Sequence, residues 1–347
     1  METIDWADRS HAPHRVRRTA PPLEHLIVAV RHQLKESSAL GEYGDLAIHR
    51  ELARRKIPGL PSVRTIARIL ARSGALDGRR RVRRPAPPPG WYLPEVAAHR
   101  RELDSVDAVE DLTIMGGTQV DILTCVSLHG GLPGAWPGPT LTTQRTLDAL
   151  VGHWRTFGLP GYVQFDNDPR FLGGQRYPNN LGRLVQACVS LAVVPVFVPP
   201  RETGFQAAVE GFNGRWQAKV WRRFHHATSA ALTRRSDQFL AALRRRLAVR
   251  VESAPVRRAF PAHWRPAFGA PPRGRLVLLR RTDEQGRVTV LGRRCLIGPT
   301  WPHRLVRCEV GLATGRADLY ALRRREPSQQ PLVLATRGRW NLHLASG

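Results

Sequence analysis

The centre of the chain, residues 158–167, reads Gly-Leu-Pro-Gly-Tyr-Val-Gln-Phe-Asp-Asn. The aromatic and apolar residues of Tyr162–Phe165 predict a short strand. Asp166 ends this strand, and the chain then turns through an Asn-Asp-Pro run at residues 167–169. The sequence therefore predicts a carboxylate at the end of a strand, at an edge of a sheet.

Strand and helix patterns alternate on both sides of this segment, between residues 100 and 265. Before it, strand-like runs at 106–114 and Gln119–Ser127 are joined by Gly116 and Gly117, which are typical of a hairpin turn. The remaining apolar patterns predict helices at 143–157, 181–191 and 206–224 and a strand at 193–198. This alternation predicts an α/β fold, a mixed sheet flanked by helices.

The charge of the chain indicates a polyanionic partner. Lys and Arg number 54 against 28 Asp and Glu, which gives a formal net charge of +26. Most of the basic residues are Arg, as a GC-rich coding sequence would produce, but such a bias exchanges Lys for Arg without changing the charge. Because counterion release favours binding of basic proteins to phosphate backbones, DNA or RNA is the expected ligand.

Composition also argues against several classes of protein. The hydrophobic content of 42% is ordinary for a globular chain, and the charged N-terminus lacks the apolar segment of a secretory signal. No apolar run reaches the roughly 18 residues of a membrane span, so we expect a cytoplasmic protein without a membrane partner. The cysteines lie far apart in the sequence, which favours buried apolar roles over a disulfide framework or a zinc site: Cys125, Cys188, Cys295 and Cys308.

Residues 22–78 predict a helical DNA-binding domain. Apolar residues recur at helical spacing, and a third helix is predicted at 63–73, with Ser62 as N-cap and Gly74 at its C-terminal end. Three arginines spaced four residues apart share one face of this helix: Arg64, Arg68 and Arg72. Short helices of this kind are typical of a helix-turn-helix module that enters the major groove. The alternative is a helical bundle whose arginines are merely solvated.

A basic, proline-rich segment at residues 79–99 follows these helices. Such a composition does not pack a core, so it predicts an extended linker and a domain boundary. Five arginines of the linker are expected to lie along DNA phosphates: Arg79, Arg80, Arg81, Arg83 and Arg84.

Five short strand-like runs separated by turns occupy residues 272–326. Short strands at this spacing predict a small antiparallel β-barrel. The pattern fades after this segment. Residues 1–21 and 327–347 are predicted to be tails, and the first of them is predicted to be disordered.

Carboxylates at strand ends, or on a helix that faces them, are candidate metal ligands in a chain so poor in acids. Cutting and joining phosphodiesters is slow unless two divalent cations, about 3.5–4 Å apart, flank the scissile phosphate, and Mg²⁺ and Mn²⁺ prefer oxygen ligands. Asp107 on the first strand, Asp166 at its strand end and Glu210 on the last helix fit this need. Glu210 shares a face with Asn213 and Gln217, away from the predicted buried stripe of Val209, Phe212, Trp216 and Val220.

The segments around these acids resemble the motifs of the DDE integrase core, which bacterial insertion-sequence transposases and retroviral integrases share. They are residues 102–107 (Glu-Leu-Asp-Ser-Val-Asp), residues 158–167, and residues 201–213 (Arg-Glu-Thr-Gly-Phe-Gln-Ala-Ala-Val-Glu-Gly-Phe-Asn). Residues 61–70 resemble the helix-turn-helix of these transposases, and the barrel resembles their SH3-like C-terminal domain. The resemblance spans about residues 22–325. It favours Asp107 over its neighbours Asp104 and Asp111 as the first ligand.

The resemblance implies an RNase-H-like core that cleaves DNA at transposon ends and joins the 3′-hydroxyls to target DNA. Such an enzyme is a polynucleotidyl transferase with endonuclease activity. The resemblance also implies that Asp107, Asp166 and Glu210 bind two Mg²⁺ or Mn²⁺ ions, with Asp107 as the bridge, and that no small-molecule cofactor takes part. It further implies a homo-multimer bound to both DNA ends, associated with the nucleoid in the bacterial cytoplasm.

The chain departs from the family pattern without losing a predicted ligand. An aromatic residue that often precedes the first Asp is absent, the spacing from Asp166 to Glu210 is longer than usual, and Gly211 replaces a basic residue. Two other functions stay open. One is a catalytically silent, transposase-derived DNA-binding regulator that uses residues 22–76 and the linker. The other is an RNA-directed nuclease, which would not need the helix-turn-helix.

Overall fold

The computed structural model describes residues 19–76, 89–173, 180–271, 273–322, 333–337, 340 and 343–344. The chain divides into two compact units, residues 1–83 and 84–347. Most of the two predicted tails lies outside the described residues. The five linker arginines also lie outside them: Arg79, Arg80, Arg81, Arg83 and Arg84.

Three helices make up the described part of the first unit, and each contributes an apolar stripe to a shared core. They are α1 (Pro21–Ser37), α2 (Asp45–Arg54) and α3 (Val63–Arg72). The residues that bury these stripes are Ile27, Val30, Ile48, Leu52, Ile66, Ile69 and Leu70. The predicted helices are present, while the assignment of this unit as a helix-turn-helix DNA-binding domain stays a prediction.

Helix α3 begins and ends at residues suited to those positions. The Oγ atom of Ser62 accepts the backbone N–H of Thr65 at 3.2 Å, which satisfies a donor that the first helical turn leaves free. Gly74 follows the helix with a φ of +67°, a conformation that glycine adopts without strain. Both features were predicted from the sequence.

The arginine face of α3 is exposed, but its members are not equivalent. Arg64 and Arg68 lie at the surface. Arg72 is also exposed, yet its guanidinium forms an ion pair of 2.7 Å with Glu24 on α1. Arg72 therefore also links the last helix to the first, which makes Arg64 and Arg68 the better candidates for contacts outside the chain.

The second unit is built around one large mixed sheet. Its strands are β1 (Leu103–Thr113), β2 (Gln119–Ser127), β3 (Pro133–Gly138), β4 (Tyr162–Phe165), β5 (Asn180–Leu181), β6 (Val194–Phe197), β7 (Arg275–Arg281), β8 (Arg287–Val290), β9 (Arg293–Leu296), β10 (Leu305–Gly311), β11 (Arg316–Ala321), β12 (Val333–Arg337) and β13 (His343–Leu344). Nine of them form a single sheet in the order β12-β11-β10-β7-β6-β4-β1-β2-β3. The pairs β1–β4, β4–β6 and β6–β7 are parallel. The other pairs in this sheet are antiparallel.

Helices and a chain segment cover both faces of this sheet. The helices are α4 (Pro94–Ala97), α5 (Thr143–Phe157), α6 (Pro169–Leu172), α7 (Arg183–Ser190), α8 (Ala207–Trp216) and α9 (Ser229–Glu252). Trp154 of α5 and Leu184 of α7 pack in one core with Phe165 of β4, and Tyr92 packs on the opposite face with Tyr162. The predicted mixed α/β architecture is confirmed. None of the helices in the described part is both long and apolar enough to cross a membrane.

Strands β7, β10, β11 and β12 extend the core sheet and β8 pairs only with β9, whereas the sequence predicted a separate small β-barrel at 272–326. Strand β7 pairs in parallel with β6, with Val196 opposite Val277 and Phe197 opposite Leu278. Residues 276–279 of β7 are all buried, and alternate ones enter the cores on the two faces of the sheet. A strand that is apolar on both faces suits the interior of a sheet, which is why β7 joins the core.

Several elements were not predicted, among them α4, which lies in the predicted linker, and β12, which lies in the predicted C-terminal tail. Strand β3 contains two prolines and two glycines, so its sequence lacks a strand pattern, and it lies at the sheet edge, where proline is tolerated. Helix α9 is rich in arginine and buries only a narrow stripe, partly against β3. The single helix predicted at 206–224 is instead α8 followed by a π-helical turn, Gln217–Trp221.

Candidate active site

Two carboxylates lie close to each other on, or directly after, adjacent parallel strands. Strands β1 and β4 pair with Leu103 opposite Tyr162 and Ser105 opposite Gln164. Continued by two residues, this register brings Asp107 near Asp166, which directly follows the end of β4. Because side chains alternate along a strand, both carboxylates lie on the same face as Ser105 and Gln164. The fold thus brings together two of the three predicted ligands.

Helix α8 carries the third carboxylate and is tied to β1 beside Asp107. The Nδ2 atom of Asn213 donates to Oδ2 of Asp107 at 2.8 Å. At the start of the helix, Nε2 of Gln206 donates to the carbonyl of Val106 at 3.2 Å. Glu210 lies between these two anchors and is exposed. The predicted apolar stripe is buried as expected, in α8 at Val209, Phe212 and Trp216 and in the following π-helical turn at Val220.

The electrostatics of Asp107 show that the other two carboxylates act on it. Burial raises the pKa of Asp107, and the negative charges of Asp166 and Glu210 raise it further, to about 6. Hydrogen bonds from the backbone of Ala108 and from Asn213 oppose this rise in pKa. A carboxylate crowded by two others is destabilised as an anion, so a proton or a cation would stabilise the group.

Asp166 has a similar environment. Burial is the main reason that its pKa is raised, and the charges of Asp168 and Glu110 contribute. The backbone N–H of Asp168 donates to Oδ1 of Asp166 at 3.0 Å and opposes the shift. Asp168 itself caps α6 and pairs with Arg170 at 2.5 Å, which confirms its interpretation as a turn residue.

The donor set fits a hard divalent cation, although the carboxylates do not converge tightly. Three carboxylates supply oxygen ligands of the kind that Mg²⁺ and Mn²⁺ prefer. The Oδ1 atom of Asn213 is also buried and has no hydrogen-bond partner in the described part, so an acceptor is free beside Asp107. The ligand oxygens of Asp107, Asp166 and Glu210 do not all lie within 4.8 Å of one another.

Among the described residues, a different group does bring its possible ligand atoms within 4.8 Å of one another. It consists of Asp104, Cys125 and His153, all buried on the opposite face of the sheet from Asp107. Both oxygens of Asp104 already accept hydrogen bonds from the guanidinium of Arg257, at 2.8 and 2.7 Å. Burial alone would raise the pKa of Asp104, but Arg257 outweighs it and the pKa is lowered. A metal cation in this cluster would have to displace the guanidinium of Arg257 or lie close to it. We therefore interpret Asp104 as the partner of Arg257 in a structural ion pair and not as a metal ligand.

The remaining predicted alternative on the first strand, Asp111, also has a structural role. Asp111 is exposed and adopts a φ of +59° where β1 departs from regular pairing with β2. Its backbone N–H donates to Asp121, whose other carboxylate oxygen accepts the N–H of Leu141 at 2.7 Å. These contacts place Asp111 and Asp121 away from the side chains that surround Asp107.

A buried polar network below the carboxylates was not predicted from the sequence. The Nε2 atom of Gln164 donates to Oγ of Ser105 at 3.3 Å and to the carbonyl of Phe205 at 2.9 Å. The hydroxyl of Tyr92 donates to Oε1 of Gln164. The network ties β1, β4 and the loop before α8 together. The one signal of it in the sequence is a polar residue inside the buried strand β4.

Comparison with known proteins finds similarity in structure alone. No protein-family profile matches this chain, and no curated protein matches its sequence. A chain of the simian T-cell lymphotropic virus intasome in complex with PP2A regulatory subunit B56 gamma is 14% identical, with 79% of this chain and 88% of that chain covered and a TM-score of 0.37.

Two integrase catalytic cores are also similar in structure. The HTLV-2 integrase catalytic core domain, in complex with magnesium, is 16% identical, covers 41% of this chain and 84% of its own, and has a TM-score of 0.29. The BIV integrase catalytic core domain is 17% identical, covers 44% and 94%, and has a TM-score of 0.33. At these scores the similarity assigns no activity to this chain.

Proposed function

We propose that this protein is a metal-dependent DNA transposase of the DDE integrase type, with Asp107, Asp166 and Glu210 as its metal ligands. One observation carries the proposal: Asp107 on β1 lies close enough to Asp166, which directly follows the parallel strand β4, and to Glu210 on α8 for both charges to raise its pKa. Phosphoryl-transfer sites that use two metal ions need carboxylates gathered in this way.

The proposed chemistry divides between the ions and the chain. Two Mg²⁺ or Mn²⁺ ions, when bound, would activate the attacking oxygen and stabilise the leaving oxygen at the scissile phosphate. Asp107 is the candidate bridging ligand, because the charges of both Asp166 and Glu210 act on it. Asn213 orients Asp107 through its hydrogen bond, and the network around Gln164 fixes the two strands on which the first two ligands lie.

Charge and architecture make DNA the proposed substrate. The net charge of +26 favours a polyanion, and the first unit exposes Arg64 and Arg68 on one helix. We propose that this unit is the helix-turn-helix domain that binds transposon ends, that the linker arginines lie along phosphates, and that the C-terminal strands help to hold target DNA. We further propose that a homo-multimer holds the two transposon ends, and that it works in the bacterial cytoplasm.

One observation favours a second function. The three carboxylates do not converge within 4.8 Å, as the ligands of a preformed metal site would. A DNA-binding regulator derived from a transposase, without catalysis, would show the same fold and charge. Binding of metal and joining of DNA separate the two proposals.

A strand-transfer assay tests the leading proposal. Purified protein is mixed with the DNA that flanks its own gene, as the source of transposon ends, in the presence of Mg²⁺, Mn²⁺ or EDTA. Glu210→Gln is compared with Asp148→Asn, an exposed acid on α5 outside the site. Metal-dependent joined product from the wild type and Asp148→Asn, but not from Glu210→Gln, supports the transposase.

A second readout does not depend on knowing the DNA ends. Titration of Mn²⁺ into the full chain, followed by electron paramagnetic resonance, is expected to show saturable binding that Glu210→Gln weakens and Asp148→Asn does not. DNA binding without joined product, and without saturable Mn²⁺ binding, would support the regulator instead.

A further inference from the structure

A cleft opens in the second unit beside the turn that carries Asp166. Its volume is about 680 Å³. One wall contains Asn167, a second contains the loop before α8 at residues 200–202, and a third is the end of β7 with the β8–β9 hairpin. Asn167 directly follows Asp166, so this wall of the cleft lies one residue from a candidate ligand, although none of the three carboxylates lines the cleft.

Cations outnumber acids on the walls of this cleft. The charged residues that line it are Arg201, Glu202, Arg280, Arg281, Asp283, Arg287 and Arg294. Glu202 is neutralised by Arg281, whose Nη2 donates to Oε2 at 2.9 Å. Asp283 closes a turn in which its Oδ1 accepts two backbone N–H groups, at 3.0 and 2.8 Å. Positive charge therefore remains in excess inside the cleft.

The excess cations come from separate parts of the chain. Arg201 lies before α8, Arg287 on β8 and Arg294 on β9. Within the described part of the chain, the guanidinium groups of these arginines form no ion pair. Cations on two walls of the cleft, one on the loop before α8 and two on the β8–β9 hairpin, suit an extended anion with several charges better than a single small anion.

Arg280 is the most constrained cation of the cleft. Its guanidinium donates to Oδ1 of Asn167 at 2.9 Å and to the carbonyls of Val198 and Leu279 at 3.3 and 2.8 Å. No carboxylate pairs with it among the described residues, and burial lowers its pKa to about 10, so it stays charged at neutral pH. A buried cation held only by neutral oxygens is costly, and a nearby anion would stabilise it.

We propose that this cleft binds the phosphodiester backbone of a DNA strand that leads to the carboxylate site. The inference rests on the proposed function and adds a location for the substrate. Contacts from Arg287 and Arg294 would hold successive phosphates, while Arg280 keeps the turn after Asp166 in place through Asn167. Charge complementarity of this kind positions a strand without reading its bases.

Thiol protection tests the proposal directly on the full chain. All four native cysteines are buried, so Thr289→Cys introduces an exposed thiol on the wall of the cleft. Thr156→Cys, on the exposed face of α5, serves as the matched control. The reaction of each thiol with a neutral maleimide is followed with and without duplex or single-stranded DNA. The assay is run in EDTA on the Glu210→Gln background, so that catalysis plays no part.

DNA at about ten times its Kd is expected to slow the reaction in Thr289→Cys about tenfold and to leave Thr156→Cys unchanged. Replacing both Arg287 and Arg294 with Ser should lower the salt slope of duplex binding by about 1.8, or by about 1.4 for a single strand. The matched control replaces Arg234 and Arg245 on α9 with Ser, which removes the same charge outside the cleft.

Three results would overturn the proposal. They are equal maleimide rates with and without DNA, protection by inorganic phosphate alone, and stronger protection by polyglutamate than by DNA at equal charge. Protection without metal-dependent joining would leave the cleft assignment standing and remove the proposed catalysis. Metal-dependent joining without protection of Thr289→Cys would support the proposed catalysis and refute the cleft assignment.

Discussion

Asn213 on α8 donates a hydrogen bond from Nδ2 to Oδ2 of Asp107 on β1, across 2.8 Å. The bond connects the helix that carries Glu210 to the strand that carries Asp107. It also stabilises the anionic form of a carboxylate whose pKa burial and neighbouring charges raise to about 6. Asn213 is thus a positioning residue for the proposed metal site.

Asn213→Ala is expected to weaken Mn²⁺ binding by about 10- to 100-fold, the usual effect of removing a side chain that orients a metal ligand. The measurement is a Mn²⁺ titration of the full chain. Gln144→Ala is the control, because Gln144 also donates an amide hydrogen bond to a carboxylate, Asp148, but on the surface of α5. Equal Mn²⁺ affinities of Asn213→Ala and the wild type would refute the role assigned to Asn213.

Asp166→Ala and Glu210→Ala are each expected to abolish cleavage and strand transfer while leaving DNA affinity within about twofold of the wild type. The reason is that contacts between cationic side chains and DNA phosphates dominate the affinity, and neither substitution removes a cationic side chain. Joined product and fluorescence anisotropy are measured on the same preparations. Retention of strand transfer by either variant would refute the ligand assignment.

Asp104→Asn is expected to destabilise the second unit by about 3–5 kcal/mol, because it leaves the guanidinium of Arg257 buried beside a neutral group. Asp104 is 0% exposed and its ion pair with Arg257 measures 2.7 Å. Urea unfolding followed by tryptophan fluorescence measures the effect, since every tryptophan except Trp6 lies in this unit. Asp148→Asn, at the surface, should change the free energy of unfolding by less than about 0.5 kcal/mol.

The stability difference between the wild type and Asp104→Asn is expected to depend on pH. The pKa of Asp104 is lowered from 3.8 in the folded chain, since Arg257 outweighs the effect of burial. A carboxyl with a lowered folded pKa stabilises the fold fully above its unfolded pKa and loses that contribution as the pH falls. The difference should therefore be constant near neutral pH and shrink below about pH 4. A difference that stays constant down to pH 3 would contradict this account.

Replacing Arg64 and Arg68 together with Ala is expected to reduce affinity for the specific DNA ends by about 1–3 kcal/mol for each arginine that binds a base edge, and affinity for random DNA much less. Both side chains are exposed on α3. Arg54→Ala on α2 is the control, because that arginine pairs with Glu51 at 2.7 Å. Equal reductions on specific and random DNA would show that Arg64 and Arg68 bind only phosphates.

Local patterns in the sequence determined most of the elements around the candidate site. The predicted bounds of β2, β4 and α5 agree with the structure, because their apolar spacing and their flanking turn residues are local signals. The buried stripe of α8 and the N-cap at Ser62 were predicted on the same basis. The choice of Asp107, Asp166 and Glu210 as a ligand set came from their predicted places on strand ends and on a helix face together with the resemblance to the integrase core, and it stays a prediction.

Only the tertiary structure decided which distant segments meet. The pairing of β6 with β7 joins the C-terminal strands to the core, and the ion pair of Asp104 with Arg257 links residues 153 positions apart. Strand β3 and the partner of Asn213 had no local signal either. Each of these contacts is stabilised by burial against residues remote in sequence, and a local pattern contains no information about which remote residue will be there.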